Sequence, residues 1–276
     1  MTLARAFAID DGPARDGIAR TIATSRLFRT LDPAFVATLA PHASIARLQQ
    51  GERLWRRGTK AEHFHVVLRG VLELQRHATG PESTLVALFG PGESPAIPVT
   101  LERRPFIADS FASTRELEVL RVRAAPVLAA LATDHALALA MNRALLEHCR
   151  LLHSKIDVMA AGTVPRRLAA FFLELVERFG DEHEDDQHHV PLALSRQQIA
   201  TYVGARVETV IRCCSSWQKA GVIQTTRDGF VITRIEELRR ILDAQASDDE
   251  AGLERGSRVH EVASGEWIKR AGPASR

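Results

Sequence analysis

Cysteine is scarce in this chain: Cys149, Cys213 and Cys214 are the only three in 276 residues. Three thiols give no disulfide framework, which points to a reducing compartment. Long apolar runs are missing too. No uncharged stretch reaches the roughly 20 residues that a membrane-spanning helix needs. The opening MTLARAFAIDDGPARDG carries acidic groups early and has no continuous apolar centre, so it does not read as a secretion signal. The expectation is a cytoplasmic protein with no membrane role. Net charge is also small, formally +2, so a nucleic-acid footprint built on clustered Lys and Arg has to be local. What remains is the composition of a globular chain, 45% hydrophobic and 25% charged, with room for two domains.

A local basic cluster occurs between Leu194 and Gly221, in LSRQQIATYVGARVETVIRCCSSWQKAG. Arg196, Arg206, Arg212 and Lys219 stand there against Glu208 alone, a net +3. Apolar or small residues at Ile199, Ala200, Val203, Gly204, Ala205, Val210 and Cys213 allow two short helices to cross closely. Ala200 leaves room at the contact, and Gly204 permits the positive φ of a sharp inter-helix turn. Ser195, with Gln198 three residues on, forms a capping-box pattern at the start of the first helix. A second helix from about Arg206 to Lys219 would be roughly 20 Å long and fit across a DNA major groove.

The outward positions near the start of that second helix are Val207, Glu208, Ile211 and Arg212. An arginine forks onto the O6 and N7 of guanine, and a carboxylate accepts from the amino group of cytosine. Glu208 and Arg212, one turn apart, therefore suit a G·C step. A plain surface ion pair between them is the competing reading, and it leaves the surrounding apolar pattern unexplained.

The run LSRQQIATYVGARVETVIR followed by WQKAGVI closely resembles the DNA-binding domain of the Crp-Fnr superfamily of bacterial transcription regulators. The resemblance implies that Glu208 and Arg212 read bases and that Arg196, Gln197 and Thr209 hold phosphates. Val207 stands where the cyclic-AMP receptor protein has a base-reading arginine, and Ile211 where the Fnr group has a serine. Apolar contacts to a thymine methyl are expected at those two positions instead. Arg206 replaces the usual hydroxyl cap and is expected to hold a phosphate. The partners implied are palindromic double-stranded DNA, a second copy of the chain, and RNA polymerase. Downstream, VIQTTRDGFVITRIEELRRILD gives strand, turn, strand and helix. The Asp228-Gly229 pair supplies the hairpin turn of a wing, with Arg227 at its tip within reach of a phosphate.

Ahead of this domain the pattern changes. Residues 1–24 mix Asp, Gly, Pro and Arg with little periodicity and are expected to be a flexible leader. From Ser25, Leu27, Phe28, Leu31, Phe35, Val36 and Leu39 fall at helical spacing, with Asp32 capping before Pro33. Between about Ile45 and Val122, glycines at 51, 58, 70, 80, 90 and 92 mark turns about every ten residues, the pattern of an antiparallel barrel or jelly roll. GERLWRRG and HFHVVLRGVLEL resemble the cyclic-nucleotide-binding type of β-roll. That places an effector-sensing domain at residues 25–132.

Cyclic AMP is not the expected effector. In GESPAIPVTLERRPFIADSFA, Pro95 and Pro98 remove two amide donors from the phosphate cassette. Phe106 and Ile107 stand where the family's cyclic-AMP binders have Arg and Ser. An iron-sulfur cluster is not expected either, because no cysteine precedes Cys149. Other branches of the family use haem to sense nitric oxide or carbon monoxide. On that resemblance haem is a candidate cofactor, with His42, His63, His65 and His77 as candidate axial or metal ligands. The alternative function is a small-molecule or metal-binding β-roll, up to a cupin-like enzyme, since His63 and His65 share one face of a strand. Against an enzyme, residues 66–69 and 90–114 supply neither the glutamate nor the third histidine that such a site needs.

Between the two domains, residues 133–162 read as one long helix capped by Thr133 or Asp134. Ala138, Asn142, Leu145, Cys149, Leu152, Ile156 and Met159 recur at alternating spacings of four and three, the seam of a dimerisation helix. Packing of that stripe on the chain's own β-roll is the competing account. After Gly162, Thr163 and Pro165 start a further helix with Leu168, Phe171, Phe172, Leu175, Val176 and Phe179 on one face. DEHEDDQHH then reads as a solvated hairpin loop. Cys213 and Cys214, adjacent on a helix, point apart. The winged domain spans 163–246, and 247–276 is expected to be a mobile tail. The whole reads as an α+β chain: an N-terminal β-roll (jelly roll) sensor, a long dimerisation helix and a C-terminal winged helix-turn-helix. The expected function is a homodimeric, sequence-specific transcription regulator and not an enzyme.

Overall fold

A computed structural model describes residues 14–77, 83–182 and 187–244. Its first element corrects the reading of the leader, because α1 (Ala14–Thr24) is a helix. Ile18 and Ile22 lie one turn apart, and Ile22 is fully buried with Leu27 and Phe28. The apolar stripe is only two turns long, too short to stand out as periodicity. Asp32 caps α2 (Pro33–Leu39), accepting from the Ala34 N–H at 2.7 Å.

The β-roll follows as β1 (Ala43–Gln49), β2 (Arg53–Trp55), β3 (His63–Arg69), β4 (Leu72–His77), β5 (Ser83–Phe89), β6 (Asp109–Ala112) and β7 (Glu116–Arg123), with a short helix α3 (Ile97–Leu101) between β5 and β6. The strands form two antiparallel sheets, ordered β1-β7-β3 and β2-β6-β4-β5. Leu48, Val67, Leu72, Phe89, Leu117 and Val119 fill the space between them. The outer face of the first sheet, Phe64, Val66, Leu120 and Val122, packs on Ile22, Phe28 and Leu39. At Gly70 (φ +76) a Cβ would lie 2.1 Å from the Glu116 carbonyl oxygen, so the β3–β4 turn accepts no side chain there.

A short α4 (Ala124–Ala130) leads into α5 (His135–Ala160). Asp134 caps it through the Leu137 N–H at 2.9 Å. Leu137, Ala140, Met141 and Ala144 anchor the first half on the roll. Next comes α6 (Val164–Phe179), with Pro165 in its first turn and Leu168, Phe171, Phe172, Leu175 and Val176 buried. The DEHEDDQHH segment is a hairpin of β8 (Asp181–Glu182) and β9 (His188–Val190), with residues 183–186 outside the described residues. β9 joins the wing strands β10 (Ile223–Thr225) and β11 (Phe230–Ile232) in a sheet ordered β10-β11-β9-β8. Gly229 serves that sheet differently from the turn chemistry expected of it. It has no positive φ, and a Cβ there would sit 1.9 Å from the Val190 carbonyl oxygen, so its role is the close approach of β9. A closing helix α9 (Ile235–Asp243) packs on α6. The tail from 247 lies outside the described residues. Among the described residues no single helix is long and apolar enough to cross a membrane.

Candidate nucleic-acid interface

Two helices, α7 (Arg196–Val203) and α8 (Val207–Lys219), carry the helix-turn-helix. Both bonds of the capping box are present: the Gln198 N–H donates to Ser195 Oγ at 3.1 Å, and the Ser195 N–H donates to Gln198 Oε1 at 2.9 Å. Gly204 sits in the left-handed region, φ 63 and ψ 48, where a side chain would cost about 1 kcal/mol or more. Ile199, Ala200, Val203 and Val210 close the angle between the helices, joined by Cys214 and Trp217. Cys213, placed in that seam by the sequence, is half-buried and packs against the same core. The buried stripe of α8 runs 210, 214, 217, which is the i, i+4, i+7 row that faces α7. Burial raises the pKa of both thiols, so neither is a reactive thiolate.

The opposite face of α8 is open. Glu208 and Arg212 are exposed, and Ile211 between them is 46% exposed. Among the described ion pairs none joins Glu208 to Arg212. Val207 departs from the expected outward set: it is half-buried against the core of the domain, one turn before Val210 and Ile211. Around this face, Arg206 is the exposed N-cap of α8 with no side-chain cap bond. Gln197 and Thr209 are half-buried, and Arg227 is exposed on the wing. Arg196 is held to the wing, donating to Thr225 Oγ1 at 2.7 Å with its guanidinium 5.4 Å from the Phe230 ring centroid.

Helix α5 presents a second open face. Leu139, Leu146, Leu152, Ile156 and Met159 are all exposed, Ile156 by 59%, and Asn142 and Cys149 lie among them. In the second half this is the expected seam. In the first half it is rotated, because Leu145 packs toward the roll and Leu146 takes the outward position.

The candidate histidines separate on contact with the structure. His42 is exposed, and the His77 side chain lies outside the described residues. His63 and His65 share the roll-interior face of β3 with ring centroids 6.3 Å apart. Burial, aided by Arg121, lowers the pKa of His63 to about 4 and that of His65 well below its usual value. The His65 ring is walled in by Trp55 at 4.8 Å and Phe106 at 6.1 Å. His65 is therefore enclosed, whereas His63 is half-buried. Among the described residues no group of three or more His, Cys, Asp or Glu is placed to hold a metal.

Sequence reasoning missed the arginines that fix the domain. Arg167 Nη1 on α6 donates to the carbonyls of Val203 and Gly204 at 2.8 and 2.9 Å, locking the turn from 36 residues away. Half-buried Arg178 with buried Glu174 and Tyr202 forms a set that also joins α6 to α7. A cavity of about 330 Å³ adjoins them, lined by Glu93 and Ser94 of the roll, His148 and Leu151 of α5, and Arg178 of α6.

This geometry has known counterparts. The cyclic nucleotide-binding domain family matches residues 45–134, and the Crp-like helix-turn-helix domain family matches residues 166–241. The nitrogen fixation regulation protein FixK of Azorhizobium caulinodans is 27% identical over 184 residues, 67% of this chain and 73% of that protein. A transcriptional regulator of the CRP family from Thermus thermophilus superposes with TM-score 0.61 at 17% identity, over 71% of this chain and 96% of its own. FixK2 from Bradyrhizobium japonicum does so with TM-score 0.60 at 20% identity, over 72% and 96%. With both domain families matched in this order and joined by α5, the chain belongs to the Crp-Fnr superfamily of helix-turn-helix transcription regulators.

Proposed function

We propose that two copies pair along the open face of α5 and set their α8 helices in successive major-groove turns of a palindromic site. Half-sites in that arrangement lie about 34 Å apart. Glu208 and Arg212 read a G·C step, and Ile211 meets a thymine methyl. Arg206 and Arg227 take phosphates from the helix start and the wing tip, with Arg196, Gln197 and Thr209 lining the rim. Val207, half-buried, contributes less to base contact than Ile211. The observation that carries this reading is the exposed carboxylate and guanidinium one turn apart on α8, a helix reached through a turn fixed by Gly204 and Arg167 from α7, whose own start Ser195 caps. An effector in the cavity beside Glu93 and Arg178 would touch the sensor, α5 and the DNA-binding domain together.

The test is Arg212→Ala in the full-length protein, measured by fluorescence anisotropy on the preferred operator and on scrambled DNA at one salt concentration. The expected result is a loss of operator preference of about 10- to 100-fold, with scrambled-DNA binding little changed. Equal operator binding by variant and wild type removes Arg212 from base reading.

A further inference from the structure

Strand β5 is an edge strand, paired on one side only, to β4. Its register shifts between Leu74 and Gln75, so that Leu74 pairs with Ala87, Gln75 with Leu85, and Val86 is the extra residue of a bulge. Such an edge carries backbone groups that need partners. Here the partners come from three helices outside the roll. Lys155 Nζ of α5 donates to the carbonyls of Leu85 and Val86 at 3.3 and 3.0 Å. Arg178 Nη2 of α6 donates to the Leu88 carbonyl at 2.7 Å. Thr201 Oγ1 of α7 accepts from the Leu85 N–H at 3.4 Å.

Two carboxylates of the roll extend the same contact. Glu93, just after β5, accepts from Arg178 at 3.0 Å. Glu73 of β4, 7% exposed, accepts from Gln198 Nε2 at 3.2 Å. Gln198 therefore has two tasks: its oxygen completes the cap of α7 and its nitrogen ties α7 to the sensor. Behind this rim, Arg178 also donates to buried Glu174, which accepts from the Tyr202 hydroxyl at 3.3 Å, and the Lys155 ammonium lies 4.6 Å from the Tyr202 ring centroid. Val71, Leu85 and Leu88 share one buried cluster with Phe171, Tyr202 and Val203.

We infer that the β5 edge is a latch that holds the winged domain against the sensor in a resting orientation, and that releasing it raises affinity for DNA. The wing gives the direction. Arg227 and Asp228 lie across a cleft of about 690 Å³ from Gln50, Arg69 and Glu116 of the roll. A DNA phosphate held by Arg227 on its cleft side would approach Arg69 and Glu116 of the roll, so the latched orientation crowds that contact. Burial also raises the Glu73 pKa, opposed by its hydrogen bonds with Gln75, Ser113 and Gln198, so this buried carboxylate depends in part on the Gln198 contact.

This inference rests on the regulator reading above. The variant that tests it is Gln198→Glu, because glutamate serves equally well at the third position of a capping box while placing a second carboxylate against Glu73. Operator affinity is measured by anisotropy on the full chain without added effector, at pH 8 to disfavour a shared proton. The latch predicts a rise of about tenfold, and a return to within about twofold of wild type when Glu73→Gln is added. Added negative charge near DNA, acting alone, would lower affinity instead. A fall, or a rise that Glu73→Gln does not reverse, overturns the latch. Hydrogen exchange of the Leu85 amide gives a readout without DNA: it speeds up in Gln198→Glu if the edge is uncovered, and an unchanged rate contradicts the latch. If Arg212→Ala binds the operator as wild type does, the base-reading proposal fails while the exchange result still stands on its own.

Discussion

The β-roll and the winged domain place their polar groups in opposite ways. The roll buries His65, Glu73, Thr100, Asp109, Ser110 and Ser113, whereas the described residues of the winged domain bury Glu174 and, hydrogen-bonded to it, the Tyr202 hydroxyl. There the core is aromatic and aliphatic: Phe172 meets Trp217 and Phe230 edge-on at 6.2 and 5.3 Å. Charge is kept for the surface, at Arg206, Glu208, Arg212 and Arg227. The difference shows two physical strategies. A DNA reader needs an apolar scaffold rigid enough to hold exposed charges in register with base edges. A sensor needs polar groups inside, where burial makes each partner count.

The largest expected effect breaks this contrast at its apolar side. Phe172→Ala is expected to cost about 3–5 kcal/mol, concentrated in the winged domain. Amide exchange should then accelerate along α8 while β7 keeps its protection. Equal loss in both regions would mean that the two strategies share one cooperative unit. A smaller effect sharpens the polar side. The His63 pKa is lowered from 6.5 to about 4 on folding, so neutral His63 contributes stability that is complete above pH 6.5 and lost as pH falls toward 4. His65 acts in the same direction. Thermal stability measured between about pH 7 and pH 5 should therefore fall less steeply in His63→Gln than in wild type. An identical slope would show that the imidazole takes up its proton as readily in the folded chain as in the unfolded one.

The helix-turn-helix was legible in the sequence because its determinants are local. Ser195, Gln198, Gly204 and the apolar row through Val210 all lie within one short segment, and each acts on neighbours a turn or two away. The departures there are small: Val207 turns toward the core instead of outward, and Cys214 rather than Cys213 is the fully buried thiol. In the roll the glycine turns marked the strands, but the fate of individual side chains depended on pairing. His65 became an enclosed core residue only through Trp55 and Phe106, and Glu73 an interface residue only through Gln198. The arginines that lock the DNA-binding domain, Arg167 and Arg178, act over 36 and 85 residues, which no periodicity reveals. Helix α5 lies between these cases. Its three-and-four spacing fits either of two neighbouring stripes, and packing on the roll chose Leu146 over Leu145 for the open face.

The account centres on two α8 helices related by pairing of α5 and held one helical turn of DNA apart. Footprinting of the major groove on a palindromic operator tests it most directly, with the full-length protein and with Ile156→Asp. Wild type is predicted to protect two guanine-containing patches about 34 Å apart, and Ile156→Asp to lose both together at the same protein concentration. One isolated patch in wild type, or two patches that persist in a monomeric Ile156→Asp, would contradict it.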